Sequence, residues 1–354
     1  MPKLISTGTA DAPFELPQSE IKNFIYNLYS GSYEEIERMI NVFDNSSITR
    51  RHISVPVDWL GKEHTFSERN AVYREIAFKL SAKALNACLE KAGAEPWEIN
   101  NIIFVTSTGV STPTIDAMLF NELKLDKHVK RTPLWGLGCA GGASAISRAL
   151  EYTRAYPDKN AAVIAVELCS LTFQKDDLSK SNIIASSLFS DGCAAAFIAG
   201  DKSRYSTSKG IELIDSLSTI YDDSLDVMGW DIVDTGFKVI FSRDIPTIVK
   251  EYVNPNINEM LELHKLGIND IKHYITHPGG LKVINAYEES LSLANGKLGL
   301  SRKVLREHGN MSSPSVLYVL NEFLNGGYFD SNEYGLLSAL GPGFSSELVL
   351  FKTA

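Results

Sequence analysis

Apolar residues recur at helical spacing in the first ninety residues of the chain. They fall on one helical face through residues 20–43, and the same spacing returns after Ser67. The second run ends at Gly93, a residue suited to the left-handed conformation that closes many helices. The pattern therefore predicts helices over both stretches, and it places Cys88 in the core.

The rest of the chain alternates strands with helices, and the same order occurs twice. The end of the strand 102–106 corresponds to the end of the strand 273–276, and Cys139 corresponds to Asn310, each after a glycine. A helical run, a strand and a final strand then follow in each copy: 141–156, 162–166 and 194–199 in the first, and 312–323, 335–340 and 347–351 in the second. Matches that stay in register over such a length indicate an internal duplication.

This order predicts an α/β protein with parallel strands and helix-covered sheets. We expect two halves, residues 1–205 and 206–354. They differ at residues 168–191, which separate the last two strands of the first copy, whereas residues 341–343 suffice in the second. A connection of that length is typical of functional loops.

Composition and charge narrow the possible functions. The 354 residues are 44% hydrophobic and carry a net charge of −9 without a dense basic block, which argues against nucleic-acid binding. No apolar run is long enough to span a membrane, and the amino terminus lacks the pattern of a signal peptide. We therefore expect a cytoplasmic protein. Its four separated cysteines indicate reduced thiols, and its seven histidines, without a spacing such as HxxxH, predict no metal site.

Cys139 stands among glycines immediately before a helical run, within residues 135–142. Glycines allow a sharp turn, and a helix amino terminus stabilises a thiolate, so the motif predicts a nucleophile with a lowered pKa. A buried cysteine in a tight turn is one alternative. A dinucleotide site is another, because the segment fits G-x-G-x-x-G and Glu167 ends the next strand. Residues 130–133, however, make a poor buried strand, and a thiol is unusual in that fingerprint.

Two polar residues in the second copy complete a candidate site. His277 lies where a strand ends, at the edge where open α/β sheets bind ligands. Asn310 opens a helical run. Taken alone, His277 could be a turn histidine and Asn310 a helix cap. The duplication changes this interpretation, because pseudo-twofold packing brings equivalent positions together at the midline, so Cys139, His277 and Asn310 should converge on one pocket.

The sequence resembles the type III polyketide synthases, the chalcone-synthase-like branch of the thiolase fold. The resemblance covers nearly the whole chain and is carried by five segments, namely 138–142, 187–192, 277–280, 309–313 and 341–343. Residues 169–174 are most similar to bacterial members that make alkylpyrones from fatty acyl starters. The resemblance implies a duplicated, layered α-β-α-β-α fold, acyl-CoA and malonyl-CoA as substrates, no cofactor, and a homodimer.

The resemblance also assigns roles to individual residues. Cys139 would carry the starter acyl group, His277 would help to hold its thiolate, and His277 with Asn310 would stabilise the enolate formed from malonyl-CoA. Fixed donors in a water-poor site suit that chemistry. The resemblance also implies residues at the substrate cavity. Phe189 would be a gatekeeper, Val239 stands where the family has a second phenylalanine, and Thr112 lies in a loop that would reach the partner subunit. The remaining cavity residues are Cys169, Thr172, Gly341, Pro342 and Gly343.

The basic positions that contact coenzyme A in the family are only partly retained in this sequence. Arg38 matches one basic position of the family, and Lys282 is a further candidate, whereas Asn41 and Asn45 stand where the family often has cations. Three other functions remain open at this stage: a condensing enzyme similar to β-ketoacyl-carrier-protein synthase III, a non-catalytic acyl-binding protein of the same fold, and a hydride-transferring enzyme.

Overall fold

The computed structural model describes residues 1–31, 35–241, 245–294, 296–327 and 330–354 of the chain. Within these ranges the strands are, in chain order, β1 (Lys3–Asp11), β2 (Phe14–Pro17), β3 (Arg50–Ile53), β4 (Asn101–Thr106), β5 (Lys130–Trp135), β6 (Asn160–Leu168), β7 (Asp191–Ala199), β8 (Ile211–Ile220), β9 (Met228–Val233), β10 (Gly236–Phe241), β11 (Ile271–Thr276), β12 (Tyr334–Gly341) and β13 (Ser345–Thr353). The α-helices are α1 (Gln18–Tyr29), α2 (Ile36–Met39), α3 (Asn41–Asp44), α4 (Val57–Leu60), α5 (Phe66–Ala92), α6 (Ile115–Leu123), α7 (Gly141–Ala155), α8 (Lys180–Leu188), α9 (Ile245–Leu263), α10 (Leu281–Ser290), α11 (Gly299–His308) and α12 (Ser313–Gly326).

Local sequence explains where the long helix α5 begins and ends. The backbone N–H of Glu68 donates a hydrogen bond to the Thr65 hydroxyl, and the backbone N–H of Thr65 donates one to the Glu68 carboxylate. These two reciprocal bonds form a capping box at the start of the helix. Gly93 closes the helix with φ of +62°, and Cys88 is fully buried, which confirms both predictions. The helical pattern of residues 20–43 corresponds to α1, α2 and α3, with residues 32–34 outside the described part of the chain.

Nine strands form one large sheet whose order shows the duplication. Outward from a central seam the order is β8-β13-β12-β11 on one side and β1-β7-β6-β4-β5 on the other. The seam itself is short, since β1 and β8 pair only at Lys3↔Glu212 and Leu4↔Ile211. In each series the first strand in the chain lies at the seam, and the next three follow one another from the outside inward. The first half has β5 as an additional edge strand. The predicted duplication is therefore confirmed.

The prediction of parallel strands is only partly right. β4 pairs in parallel with β5 and β6, and β11 pairs in parallel with β12, whereas β7, β13 and the seam strands run antiparallel to their neighbours. The turn between β12 and β13 is too short for a parallel crossover, so these strands must be antiparallel. Residues 130–133 do form part of a strand, but β5 lies at the edge of the sheet and is mostly exposed.

Alternating strand residues face two different helical layers. In β4, Ile103 and Val105 pack with α7 and α12, whereas Ile102 and Phe104 pack with α5. The outer face of the second half packs against α9 and α10. The order of layers is thus α5, half-sheet, α7 with α12, half-sheet, and α9 with α10, which confirms the layered fold. The division of the chain at residue 205 stays a prediction.

Residues 168–191 add structure that the second copy lacks at the equivalent place. They contain a 3-10 turn at Cys169–Thr172 and the helix α8. The buried carboxylate of Asp191 accepts hydrogen bonds from the backbone N–H groups of Ser54 and Ser170, so the insertion is tied to the segment that follows β3. Among the described residues, no helix has the length and apolar character needed to cross a bilayer.

Candidate active site

Cys139 lies in a 3-10 turn, Gly138–Ala140, that leads directly into α7. Its Sγ is 3.5 Å from the hydroxyl oxygen of Ser312. Gly138 has φ of +45°, and a Cβ at this position would lie 2.7 Å from Pro342. Only glycine meets both requirements at this turn, which holds the cysteine against the loop that joins β12 and β13.

Asn310 lies in the loop before α12 and is fixed through its backbone as well as its side chain. Its N–H donates to the carbonyl oxygen of Leu188 at 2.9 Å, and its own carbonyl accepts from Ser190 N–H at 2.9 Å. The side-chain Nδ2 donates to the carbonyl oxygen of Gly279 at 3.1 Å, and Oδ1 accepts from the N–H of Ser312 at 2.8 Å. The orientation of the amide is therefore set from both ends.

His277 follows β11, where its backbone N–H donates to the carbonyl oxygen of Ser338 at 2.8 Å. The residue is only 5% exposed, and both ring nitrogens are buried without a hydrogen-bond partner. Gly279 lies against the ring, and Asn310 binds the carbonyl of this glycine while it also donates toward the Cys139 sulfur. These contacts link Asn310 both to the cysteine and to the segment that carries His277, and the imidazole is left with unused hydrogen-bonding capacity.

The protonation state of this site differs from the sequence-based expectation. Burial raises the pKa of the Cys139 thiol to about 11; hydrogen bonds from Ser312 and Asn310 lower it, and the nearby Glu167 carboxylate raises it. Burial also lowers the pKa of His277 to about 3. The prediction of a lowered cysteine pKa is wrong for this state of the protein, because desolvation outweighs the helix amino terminus. At neutral pH the site holds a thiol and a neutral imidazole.

Glu167 is a buried carboxylate beside the site that the sequence did not single out as catalytic. It accepts hydrogen bonds from the N–H of Ser107 at 2.9 Å, the hydroxyl of Thr108 at 2.7 Å and the hydroxyl of Ser313 at 2.8 Å. Burial nevertheless raises its pKa to about 7. Its place at the end of β6 was a signal, but a strand end alone does not tell whether the side chain faces solvent or the interior.

The same surroundings exclude the dinucleotide interpretation of the glycine motif. A Cβ on Gly142 would lie 2.3 Å from the carbonyl oxygen of Ser313, and one on Gly141 would lie 2.6 Å from Val105. These glycines allow α7 to pack closely against the start of α12 and against β4. Glu167, the acidic residue that would bind a ribose, is fully buried and already satisfied by the donors around it.

A narrow cavity lies beside Cys169, and it collects four residues predicted to contact substrate. These are Phe189, Cys169, Thr172 and Val239. About 50 Å³ of the cavity is open to the centre of a water molecule. The apolar part of the wall is formed by Ile21, Phe24, Ile25, Ile53, Val57, Leu60, Phe173 and Ala185, together with Phe189 and Val239.

One electrostatic interaction and one backbone bridge relate this cavity to the candidate catalytic residues. Burial raises the pKa of the Cys169 thiol far above its usual range, and the charges of Glu167, Asp191 and Cys139 raise it further, so Cys169 lies within electrostatic range of Cys139. Phe189 pairs with Asn310 through an isolated parallel bridge. The cavity wall and the candidate catalytic residues therefore share a boundary at Cys169 and Phe189.

Comparison with known proteins identifies the family. Models of the N-terminal and C-terminal domains of chalcone and stilbene synthases match residues 3–202 and 212–354. The chain belongs to this family, the type III polyketide synthases. A putative chalcone synthase of Bacillus subtilis (strain 168) is 45% identical over 98% of this chain and 98% of its own length. The 1,3,6,8-tetrahydroxynaphthalene synthase of Streptomyces peucetius subsp. caesius is 33% identical over 97% of this chain and 91% of its own.

A solved structure agrees with the sequence comparison. The crystal structure of 1,3,6,8-tetrahydroxynaphthalene synthase from Streptomyces coelicolor A3(2), a bacterial type III polyketide synthase, aligns with a TM-score of 0.94 and 27% identity and covers 99% of each chain. The predicted family, the thiolase-like fold and the assignment as an acyltransferase are confirmed. This polyketide synthase therefore shares its architecture with enzymes that build polyketides.

The other residues predicted at the substrate site have different surroundings. In this polyketide synthase Gly341 packs on the cysteine turn, since a Cβ there would lie 2.5 Å from the carbonyl oxygen of Leu137, and Gly343 has φ of +70° in the turn that follows. Thr112 is exposed. The side chain of Arg38 is 79% exposed and pairs with Glu35 at 3.1 Å, and Lys282 is exposed. Arg38 and Lys282 thus lie at the surface, where a phosphate can reach them.

Proposed function

We propose that this enzyme condenses malonyl-CoA with a long-chain acyl-CoA starter held on Cys139, and that it releases alkylpyrone-type products. The proposal is supported by Asn310, which is linked to Cys139 and to the Gly279 carbonyl near His277. It is also supported by a cavity with a largely apolar wall that includes Phe189, whose backbone pairs with Asn310. The assignment of the family supports polyketide formation in general; the starter, the product and the roles of single residues are our inference.

Loading begins with a thiol that is protonated at neutral pH. In the proposed step His277 accepts the Cys139 proton as Sγ attacks the thioester carbonyl of the starter. The acyl group moves to Cys139, and coenzyme A leaves as the thiol with the proton from His277. Charging either group alone is unfavourable in this buried site, but a single proton transfer creates opposite charges that attract, at about 4 kcal/mol for 4 Å and an effective dielectric of 20.

Extension requires an enolate, which forms when malonyl-CoA loses carbon dioxide. The negative charge develops on the thioester oxygen, where preorganised donors are most effective. Asn310 has two amide hydrogens and uses one for Gly279, and His277 has an unpartnered ring nitrogen that can carry a hydrogen. The enolate carbon then attacks the Cys139 thioester, and the Cys139 thiolate is released as the new carbon–carbon bond forms.

The cavity suits an alkyl tail because of the side chains that line it. Each buried methylene contributes about 0.8 kcal/mol, so a tail of several carbons dominates the choice of starter once it is enclosed. Phe189 stands at the boundary, with its ring centroid 5.5 Å from that of Phe241 and 5.9 Å from that of Trp230.

The family relationship further supports a cytoplasmic homodimer in which Thr112 reaches the partner's cavity.

Product analysis tests the proposal. The enzyme is incubated with malonyl-CoA and a series of acyl-CoA starters from acetyl to stearoyl, and the products are identified by mass. We expect triketide and tetraketide pyrones from long-chain starters, with much lower turnover of acetyl-CoA. Cys139→Ala is the matched control and should form none of them. Efficient use of short or aromatic starters alone would overturn the choice of starter, and an active Cys139→Ala enzyme would overturn the mechanism.

A further inference from the structure

Three side chains that could hold a metal ion come together from three separate elements. Asp11 ends β1, His52 lies in β3 and His308 ends α11. One oxygen or nitrogen from each lies within 4.8 Å of the others. The Nδ1 of His308 is 3.2 Å from Asp11 Oδ1, and the Nδ1 of His52 is 3.9 Å from the same oxygen. The two imidazole rings are stacked, with centroids 5.6 Å apart.

The Nδ1 of His52 is buried without a hydrogen-bond partner, whereas the Nδ1 of His308 contacts Asp11 Oδ1 at 3.2 Å. The His52 side chain is only 8% exposed, so its unpartnered nitrogen is withheld from solvent. A buried polar atom without a partner is destabilising, because it has lost its hydrogen bond to water. The unpartnered His52 nitrogen faces the same carboxylate oxygen as His308, so an ion bound between the three groups would satisfy it.

Neighbouring groups orient these side chains as expected for metal ligands. The Nε2 of His52 lies 3.3 Å from a carboxylate oxygen of Glu15, which favours the tautomer with hydrogen on Nε2 and a free lone pair on Nδ1. A carboxylate behind a ligating histidine is the usual arrangement in metal sites. The hydroxyl of Tyr318 donates to Asp11 Oδ1 at 3.0 Å and fixes the third group.

We propose that Asp11, His52 and His308 bind a divalent transition-metal ion of the zinc type. Two imidazole nitrogens and one carboxylate oxygen suit Zn²⁺, Co²⁺ or Ni²⁺ better than the hard ions Mg²⁺ and Ca²⁺. Ligands at about 2.0–2.1 Å from a tetrahedral ion lie roughly 3.3 Å apart. The Asp11–His308 separation already matches this value, and the Asp11–His52 separation of 3.9 Å exceeds it by about 0.6 Å. No two of the ligand atoms are more than 4.8 Å apart, so the side chains would have to draw together to bind the ion. The Asp11 side chain is 42% exposed, which leaves room for water as the fourth ligand.

Such an ion would connect β1 to β3 and to the end of α11, both of which adjoin segments of the candidate active site. His308 is followed by Gly309 and Asn310, so it lies two residues from a candidate donor to the enolate. The backbone N–H of His52 donates to the Ser190 hydroxyl, which donates to the His52 carbonyl, next to Phe189. The expected role is structural, since the ion would hold both segments in place. The sequence predicts no metal site, because a spacing motif such as HxxxH can detect only ligands that lie close together on one helix. These three residues come from separate elements.

Metal titration of the intact chain tests the proposal. The protein is freed of metal with a chelator and titrated with Zn²⁺ by calorimetry, and with Co²⁺ by visible absorption, which reports ligand number and type. We expect one ion per chain and a higher thermal midpoint with Zn²⁺. Asp11→Asn and His308→Gln should each weaken binding at least tenfold and abolish the thermal shift. Glu15→Gln should weaken it less, within the 10–100-fold usual for groups behind the ligands.

Two control variants separate this site from other metal-binding side chains. His128→Gln changes an exposed histidine elsewhere and should bind like the unchanged protein. Cys139→Ala removes the partly exposed thiol and should also retain the ion. Circular dichroism checks that each variant is folded. Binding weakened less than tenfold in Asp11→Asn, binding lost in Cys139→Ala, or an unchanged protein that takes up no ion would overturn the proposal.

Discussion

The side-chain nitrogen of Asn310 donates a hydrogen bond to the carbonyl oxygen of Gly279 over 3.1 Å. This contact joins the loop that carries His277 to the loop that precedes α12. It uses one of the two amide hydrogens and fixes the direction of the other. The amide cannot rotate freely, because its oxygen accepts from the N–H of Ser312. Donors held in this way need little reorganisation when charge develops on a substrate.

We predict that Asn310→Ala separates the two half-reactions. Acyl transfer to Cys139 should be retained, because the amide is not the nucleophile. Malonyl decarboxylation should fall by about 10²-fold or more, as after the loss of other oxyanion donors. Loading is measured by mass spectrometry of the intact protein and decarboxylation by release of carbon dioxide. Asn325→Ala, which changes an exposed asparagine, is the control. An equal loss of both steps would show that Asn310 is structural.

The state of Cys139 predicts how its alkylation depends on pH. Cys139 is partly exposed and Cys88, Cys169 and Cys193 are buried, so limited iodoacetamide should label Cys139 first. Because its pKa is raised to about 11, the thiolate fraction at pH 7 is small and grows about tenfold per pH unit. The labelling rate should therefore rise steeply between pH 7 and pH 10. A rate already at its plateau at pH 7 would show that a thiolate–imidazolium pair exists without substrate.

Glu167 gives a prediction for stability. Its pKa is raised from 4.5 to about 7 on folding, so the folded protein holds the proton more tightly than the unfolded chain. This contribution to the free energy of unfolding is present below pH 4.5 and is lost as the pH rises through about 7. It amounts to about 3 kcal/mol at most. The side chain in Glu167→Gln cannot titrate, so this variant should lack this part of the dependence of the unfolding free energy on pH.

Chemical denaturation at a series of pH values measures the slope. Asp191, whose pKa burial raises to about 6, contributes in the same direction in both proteins. The difference between the two curves therefore reports Glu167 alone. Parallel curves from pH 4.5 to pH 7.5 would show that Glu167 titrates alike in the folded and unfolded states.

Cys169 tests where the acyl tail lies. Cys169→Trp fills the cavity beside Phe189, so we predict a shift from long to short starters with little effect on malonyl decarboxylation. Cys169→Ala keeps the cavity open and should preserve the chain-length profile. The profiles come from competition between acyl-CoA starters, with products measured by mass. An unchanged profile in Cys169→Trp would mean that the tail runs elsewhere and that Cys169 only packs against its neighbours.

The exposed loop at Thr112 is expected to be covered in a dimer. Sedimentation equilibrium should give twice the chain mass of 39.0 kDa. A bulky charged substitution, Thr112→Glu, should weaken the dimer if the loop enters the partner, whereas the same change at exposed Thr207 should not. A fully active monomer would contradict the prediction.

The periodic elements were predictable because their signals are local. Apolar spacing and the closing Gly93 predicted α5, and the repeated strand order predicted the duplication that the sheet then showed. Strand direction was less predictable. β6 and β7 are antiparallel although residues 168–191 are long enough for a crossover, because pairing depends on neighbours that are distant in sequence.

The sequence by itself determined the duplicated fold and singled out Cys139, His277 and Asn310 as the candidate site, since helix starts, strand ends and glycine turns are set by nearby residues. Only the tertiary structure decided the protonation of Cys139 and His277, the inward direction of Glu167, and the meeting of Asp11 with His52 and His308. These properties depend on desolvation and on contacts between segments far apart in the chain. Neither quantity is encoded in any one stretch of sequence.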